Sequence, residues 1–279
     1  MSGPLKSWFA DWLPPHLRRL LQRSRAGEAV WYTGDYASWS DARRDSTGYD
    51  NRFILETVRE SLEKVRDGEA PGERDSVLFD RVPYPFPLLV GLLRASLAGH
   101  RLCVLDIGGS LGSTYFQCRG LLDRLDELRW NIVEQPAFVE CGRQHFQSEQ
   151  LRFFDNLESC LAEEQVNVAI LSSVLPYVEK PYEVLENVVS RGIEHVIIDR
   201  TPLLENRPDR LTVQHVPAYI YGRELSYPAW FLNRESVLAR FSGSYVLHLE
   251  FDALAGRIDL GPFSARDTGF IFEYKLEDE

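Results

Sequence analysis

From residue 102 onward, short apolar runs alternate with segments of helical length. The five runs lie at residues 102–107, 130–133, 151–154, 166–171 and 195–198. The segments between them, among them 114–128, 136–147 and 181–191, carry apolar residues at helical spacing. Short apolar strands joined by helices are typical of a parallel sheet that is buried on both faces. We therefore predict a doubly wound α/β domain over residues 100–279.

The last part of this domain has a different pattern. Residues 245–251 and 268–274 read as two further strands, joined by a loop that contains Gly256, Gly261 and Pro262. Two strands connected in this way form an antiparallel hairpin. The predicted sheet therefore ends in a hairpin rather than in another strand–helix unit.

The first 99 residues are predicted to form a helical extension with an aromatic loop. An apolar stripe at Leu5, Trp8, Phe9, Trp12 and Leu13 has the spacing of an amphipathic helix, which Pro14 and Pro15 end. This helix either packs on the main domain or lies on a membrane surface, and the pattern leaves both open. Residues 30–48 read as an ordered aromatic loop and residues 66–76 as a linker after a second helix, whose apolar face is Phe53, Ile54, Val58, Leu62 and Val65.

Composition excludes several function classes. The net charge is −11, which disfavours binding to nucleic acid, because a phosphate backbone requires a broad basic surface. The longest apolar stretch, residues 85–93, is too short to span a bilayer. The four cysteines, at 103, 118, 141 and 160, are widely spaced and form no C-x-x-C pair. This spacing predicts free thiols and no metal site, and free thiols are typical of a cytoplasmic location.

The sharpest motif is the glycine-rich turn at residues 104–112. An apolar strand runs into Asp106, Gly108, Gly109, Ser110 and Gly112, and a helix is predicted to follow. Glycines let the backbone approach a flat nucleoside closely, and the helix N-terminus offers N–H groups to a carboxylate. A nicotinamide dinucleotide site would need a glycine where Ile107 stands, so that alternative fits less well. A purely structural turn stays open for the glycines taken alone.

Polar residues also follow the next three strands. Glu134, with Gln135, follows the second strand, and its carboxylate is suited to accept hydrogen bonds from two ribose hydroxyls. Asp155 and Asn156 follow the third strand, where Asp155 either accepts from an adenine amino group or simply forms a turn. The fourth strand leads into Ser172 and Ser173, which we expect beside the reacting centre.

The substrate-binding region is predicted at residue 177 and in the segment 199–244, which is rich in aromatic and polar groups. Expected contacts to a polar substrate such as a sugar are Tyr177, Arg200, Gln214, Tyr221 and Tyr227. Packing roles for the aromatic residues stay open. His215 is the candidate catalytic base, because imidazole titrates near neutral pH, although no partner for it is visible in the sequence.

The motif at 104–112 resembles the first motif of class I S-adenosylmethionine-dependent methyltransferases, and residues 171–178 resemble their fourth. Ser110 replaces the middle glycine and Gly109 is an extra one, which predicts an altered loop path. The N/D-P-P-Y signature of amide and amino N-methylation is absent. The resemblance implies S-adenosylmethionine as cofactor and a Rossmann-like seven-stranded sheet of order 3-2-1-4-5-7-6 with the last strand antiparallel.

The chain is also similar to a bacterial methyltransferase family of unestablished substrate that is associated with surface-polysaccharide gene clusters. The pieces that carry this likeness lie at 31–39, 48–50, 106–113 with Gln117 and Arg119, 133–135, 199–202, Gln214, Tyr221 and 226–228. The likeness implies O-methylation of a saccharide or similar small molecule. It also implies a lid at residues 30–50 with Tyr32, Tyr36, Trp39 and Tyr49. A non-catalytic scaffold in a glycan-assembly complex and a nicotinamide-dependent oxidoreductase are the alternatives.

Overall fold

The computed structural model describes residues 30–48, 51–97, 99–218 and 223–275. The predicted stripe at residues 5–13, Tyr49 and Tyr221 lie outside the described residues. The strands are β1 (Trp31–Thr33), β2 (Gly72–Arg74), β3 (Val77–Phe79), β4 (Arg101–Ile107), β5 (Glu127–Val133), β6 (Leu151–Phe154), β7 (Val168–Ser172), β8 (His195–Leu204), β9 (Arg210–Val216), β10 (Leu225–Asn233), β11 (Tyr245–Asp259) and β12 (Ser264–Tyr274). The helices are α1 (Trp39–Arg44), α2 (Asn51–Arg66), α3 (Phe86–Ser96), α4 (Ser113–Cys118), α5 (Pro136–His145), α6 (Leu157–Glu163), α7 (Pro181–Ser190) and α8 (Arg234–Phe241).

Five parallel strands form the middle of the central sheet, in the order β6-β5-β4-β7-β8. Each of the five predicted apolar runs overlaps one of these strands, although β7 begins two residues after the predicted start at 166, and this part of the prediction is confirmed. On the outer side of β8, β12 pairs antiparallel, and β11 pairs antiparallel with β12. The predicted hairpin is therefore present, but β11 extends through Gly256 to Asp259, so the connecting loop is shorter than expected.

The sheet is larger than predicted. Over the described residues it contains ten strands, and the expected count of seven is wrong. β10 pairs with the far end of β8 at Leu203 and Leu204, β9 pairs antiparallel with β10, and β1 pairs antiparallel with β9. The segment after the fifth parallel strand is thus mostly sheet, which extends the wall around the strand ends.

Helices cover both faces of the parallel strands, as a doubly wound fold requires. On one face, α2, α3, α4 and α5 pack against strand residues that include Val104 and Ile170. On the other face, α6, α7 and α8 pack against residues that include Leu105 and Leu171. Adjacent strand residues therefore enter opposite cores, which explains why these strands are apolar throughout instead of alternating.

Residues before 100 are joined closely to the rest. Helices α2 and α3 share one core with β4 and β5, and β1 is an edge strand of the central sheet. The division at residue 99 stays a prediction. The expected linker at 66–76 is wrong in its second half, because residues 72–79 form the β2–β3 hairpin. Its two turn residues, Asp75 and Ser76, have φ values of 50° and 67°, as a type I′ turn demands.

Candidate functional site

A cavity of about 1090 Å³ opens at the carboxyl ends of β4, β5, β7 and β8. The turn of the β2–β3 hairpin, Trp39 of α1, Tyr227 of β10 and residues 251–254 of β11 supply further walls. Ligands of doubly wound sheets bind at this edge, because the strand order reverses there and the connections of two neighbouring strands leave a crevice between them. This cavity is therefore the candidate site.

The glycine bend after β4 forms one wall of the cavity. Gly108 has a φ of 69°, and a Cβ atom there would lie 2.6 Å from Cγ2 of Val174. A Cβ atom on Gly109 would lie 2.6 Å from the Asp106 carboxyl group. Ser110, which replaces the middle glycine of the expected motif, adopts a φ of 55° and so keeps the left-handed conformation. The tight path of this bend therefore depends on glycine at both positions, and its backbone borders the cavity.

Asp106 lies underneath this bend. Its side chain is 1% exposed, and its Oδ2 accepts a hydrogen bond of 2.9 Å from the indole N–H of Trp130. Burial raises the pKa of Asp106 to about 7, an effect that the Trp130 N–H opposes and that nearby Glu134 reinforces. Asp106 borders the cavity, but its geometry is that of a residue that supports the loop.

Glu134 and Gln135 follow β5 and line the cavity next to the bend. The Gln135 backbone N–H donates to Oε2 of Glu134 at 2.6 Å, and the Ser110 N–H also favours the charged carboxylate. Enclosure nevertheless raises the pKa of Glu134 above its usual value. The structure thus brings the acid after the second parallel strand into contact with the bend after the first.

The residues after β6 have separate roles. Asp155 lines the cavity and forms an ion pair of 3.1 Å with Arg143. Asn156 does not line it; its side chain caps α6 by accepting from the Ser159 N–H at 2.8 Å. Gly112 does not line it either, since a Cβ there would face Leu151 at 3.2 Å, inside the core. The expected cofactor contacts of Asn156 and Gly112 are therefore not supported by their positions.

Ser172 and Ser173 line the opposite wall, at the end of β7. The Ser172 hydroxyl donates to Oδ2 of Asp199 at 2.9 Å, and the Ser173 N–H donates to the Asp199 carbonyl at 2.9 Å. Ser173 has a φ of 58°. These bonds tie the tip of β7 to β8 and present both serines to the cavity.

Arg200 lies at a bulge in β8. Residues 199 and 200 together stand opposite Gly269 of β12, and Arg200 has a φ of 52°. In a regular strand Asp199 and Arg200 would face opposite sides of the sheet, but here both line the cavity. The bulge therefore directs two charged neighbours into one site.

The Arg200 guanidinium is the centre of a charged cluster. Its Nη1 contacts Oδ2 of Asp75 at 3.2 Å, and its Nε donates to the Ser172 hydroxyl at 3.3 Å and lies 3.9 Å from Oδ2 of Asp199. Burial opposes its charge, but the carboxylates of Asp75 and Asp199 hold the pKa of Arg200 above its usual value. Arg200 therefore stays protonated, with two carboxyl groups beside it.

The predicted acceptor residues Tyr177, Gln214 and Tyr227 also come together. The Tyr177 hydroxyl donates to Oε1 of Gln214 at 2.9 Å, and its ring meets that of Tyr227 edge to face at 5.5 Å. All three residues line the cavity. This wall presents ring faces and amide and hydroxyl groups beside the Arg200 cluster.

His215 does not reach the cavity, and the expectation that it is the catalytic base is not supported. Its Nε2 is 2.8 Å from the Thr33 hydroxyl, and its ring stacks on Trp31 at 4.9 Å. Gln214 and His215 are neighbours in β9, so their side chains point to opposite faces. Because Gln214 lines the cavity, His215 faces away from it.

Several lining residues were not assigned to the site from the sequence, although Ser113, Gln117 and Asp199 lie in segments that carry the family likeness. They are Glu73, Arg74, Asp75 and Ser76 of the hairpin, Ser113 and Gln117 of α4, and Asp199. The hairpin turn has no glycine, which removed the usual signal for a type I′ turn. Of the expected lid aromatics, Trp39 lines the cavity, whereas Tyr32 packs edge to face on Phe231.

Three further properties concern metal ligands, membrane-spanning helices and cysteines in the described part of the chain. The described residues contain no cluster of three or more His, Cys, Asp or Glu side chains that could bind a metal ion. None of the described helices has both the length and the apolar character needed to cross a bilayer. The four cysteines are free thiols.

No protein-family model matches the sequence, and no curated protein matches it. Among solved structures, the chain is similar to the N-terminal domain of EvdMO1 with SAH bound: TM-score 0.47, 14% identity, 81% of this chain and 98% of that one. It is also similar to human N-acetylserotonin methyltransferase in complex with SAM: TM-score 0.43, 14% identity, 79% of this chain and 56% of that one. A structure described as a pericyclic reaction enzyme gives a TM-score of 0.49 at 11% identity, over 97% of this chain and 65% of that one. With every TM-score below 0.5, these likenesses carry no argument about activity.

Proposed function

We propose that this chain is an S-adenosylmethionine-dependent methyltransferase that O-methylates a saccharide or a similar small polar acceptor. The observation that carries the proposal is that the glycine bend after β4 and Glu134 after β5 line the wall of one large cavity side by side, where the Gly108 N–H donates to the Val133 carbonyl at 2.9 Å. A glycine bend beside a carboxylate suits an adenosyl group. The bend admits a bulky ligand, and the carboxylate accepts from two vicinal hydroxyls.

The residues at this end of the cavity fit the cofactor. Gly108 and Gly109 line the cavity next to Glu134, and a Cβ atom at either position would collide with Val174 or Asp106, so the tight bend requires glycine at both. Glu134 would hold the ribose, and Asp155 and Gln135 lie further along the same wall, where the adenine would extend. Ser172 and Ser173 would face the sulfur. When bound, S-adenosylmethionine supplies an electrophilic methyl group.

The other end of the cavity suits a polyhydroxyl acceptor. Arg200, Asp199 and Gln214 offer donors and acceptors in fixed directions, and the rings of Tyr177 and Tyr227 lie beside them. Sugars bind to such combinations, because hydroxyl groups pair with the polar groups and C–H faces pack on rings. Arg200 is the one cation of this cluster and has two carboxyl groups beside it, so the wall has no excess of positive charge that would require an anionic acceptor.

A hydroxyl acceptor must lose its proton during methyl transfer. We assign Asp199 as the general base that receives this proton. No histidine lines the cavity among the described residues. Burial raises the pKa of Tyr177 to about 12, so the Tyr177 hydroxyl stays protonated at neutral pH. Asp199 is 8% exposed, faces the cavity and is held by the Ser172 hydroxyl and Arg200. The side chain is therefore oriented to receive a proton from the acceptor.

Calorimetric titration with S-adenosylhomocysteine tests the cofactor half. We expect saturable binding to the wild type and affinity about tenfold or more lower in Glu134→Gln, because hydrogen bonds to a charged acceptor are lost. Glu149→Gln, at an exposed carboxylate, is the matched control and should bind like the wild type. Absence of binding to the wild type, or equal affinity of Glu134→Gln, would contradict the proposal.

Transfer of labelled methyl groups tests the acceptor half. Free sugars and nucleotide sugars are compared with amines and carboxylic acids as acceptors. Label in a sugar fraction, at a position resistant to mild base, supports O-methylation. Binding of S-adenosylhomocysteine without transfer to any acceptor would favour the non-catalytic scaffold instead.

A further inference from the structure

We infer that Glu73, in the β2–β3 hairpin, binds the α-ammonium group of the amino-acid tail of S-adenosylmethionine. The inference rests on the proposed function and extends it to a residue outside the glycine motif and outside the parallel strands. It concerns recognition of the tail, not transfer of the methyl group.

Glu73 is a buried acid with an unsatisfied oxygen. Its side chain is 1% exposed although it lines the cavity. Oε2 accepts from the Ser76 N–H at 3.1 Å, whereas Oε1 has no hydrogen-bond partner. Leaving a buried carboxylate oxygen unpaired is costly, and a cationic donor is the group that satisfies it best. Burial raises the pKa of this carboxyl, and the Ser113 hydroxyl, the Ser76 N–H and the charge of Arg200 oppose that rise.

The position of Glu73 matches the tail rather than the adenosine. β2 packs against α4, and the Gln117 side-chain amide donates to the Glu73 carbonyl at 2.7 Å. α4 begins at Ser113, directly after the glycine bend, and Ser113 also lines the cavity. Since Glu134 marks the ribose on the other side of the bend, the amino-acid tail would extend toward the hairpin.

The motif's own acid is not free for this role. Asp106 lies beneath Gly109 and accepts from the Trp130 indole, so a ligand on the bend does not reach its bonded oxygen. The remaining acids that line the described cavity also have partners: Asp75 and Asp199 contact Arg200, Asp155 contacts Arg143, Asp252 contacts Arg266, and Glu134 accepts from the Gln135 N–H. Among the acids that line the described cavity, Glu73 is the one whose buried carboxylate oxygen, Oε1, has no hydrogen-bond partner.

A cycle of two changes, one in the protein and one in the ligand, tests the inference. Calorimetry compares S-adenosylhomocysteine with its deaminated analogue, in which hydrogen replaces the α-amino group. In the wild type we expect the analogue to bind about tenfold or more weakly. In Glu73→Gln the two ligands should bind within about twofold of each other. Glu69→Gln, at an exposed acid before the hairpin, should keep the wild-type preference.

The outcomes separate this inference from the proposed function. If the wild type binds neither ligand, the proposed function fails. If it binds S-adenosylhomocysteine and Glu73→Gln keeps the full preference for the amino group, the inference is overturned. Equal weakening of both ligands also overturns it, because Glu73 would then support only the fold. Should Glu73→Gln not fold, Glu73→Asp keeps the charge on a shorter side chain and should show a reduced preference of several-fold; an unchanged preference in that variant contradicts the inference.

Discussion

Replacing Asp106 by asparagine should alter how stability depends on pH. The pKa of this buried carboxyl is raised from 3.8 to about 7, chiefly by burial, so the folded chain keeps a proton that the unfolded chain releases near pH 4. The stabilisation is therefore fully present below pH 4 and is lost as the pH rises through 7. The shift corresponds to about 4 kcal/mol at 1.36 kcal/mol per pKa unit. Asparagine does not ionise, so Asp106→Asn removes this loss.

The comparison of two pH values isolates the effect. Oδ1 of asparagine can still accept from the Trp130 N–H, and any cost of its amide group is the same at every pH. We expect the free energy of unfolding of Asp106→Asn, relative to wild type, to rise by about 3 kcal/mol between pH 5 and pH 8. Urea titrations at both pH values measure it, with Asp80→Asn, at an exposed acid, as control. An unchanged difference between variant and wild type at the two pH values would refute the reasoning.

Two further predictions concern the bend and the proton acceptor. Gly109→Ala places a Cβ 2.6 Å from the Asp106 carboxyl and should lower the free energy of unfolding by about 1–3 kcal/mol in guanidinium titrations, whereas Gly120→Ala, where nothing lies within 4 Å, should change it little. An equal loss in both variants would contradict the packing argument. Asp199→Asn should lower kcat about 100-fold or more with unchanged affinity for S-adenosylhomocysteine, while His215→Ala keeps kcat within about twofold. The reverse ranking of these two variants would restore His215 as the base.

The five parallel strands could be predicted from the sequence because each is buried on both faces and reads as an uninterrupted apolar run. The edge strands could not. β9 mixes buried apolar residues with polar ones such as Thr212 and Gln214, and β1 has only three residues. Their strand character depends on pairing with β10, which is a long-range contact that local composition does not encode.

The cofactor end of the site was likewise more predictable than the acceptor end. Glycines and the acid after β5 have local signatures, and they come together because parallel strands end at the same sheet edge. On the acceptor side, treating 199–244 as an irregular segment hid the alternation of β9. That alternation sends Gln214 and His215 to opposite faces, so only one of them could line the cavity.

The bulge at Arg200 shows how the remaining site residues depend on backbone strain. A positive φ is unfavourable for a long side chain, and the described residues with this conformation include Ser110, Ser173 and Arg200, all of which line the cavity. The Ser173 N–H bond to the Asp199 carbonyl holds the strained tip, and the bulge opposite Gly269 turns the Arg200 side chain toward Asp75. A regular strand would be more stable locally but would place Asp199 and Arg200 on opposite faces and divide the charged cluster. The strain therefore has a direct structural consequence: it assembles the polar wall that the proposed acceptor would contact.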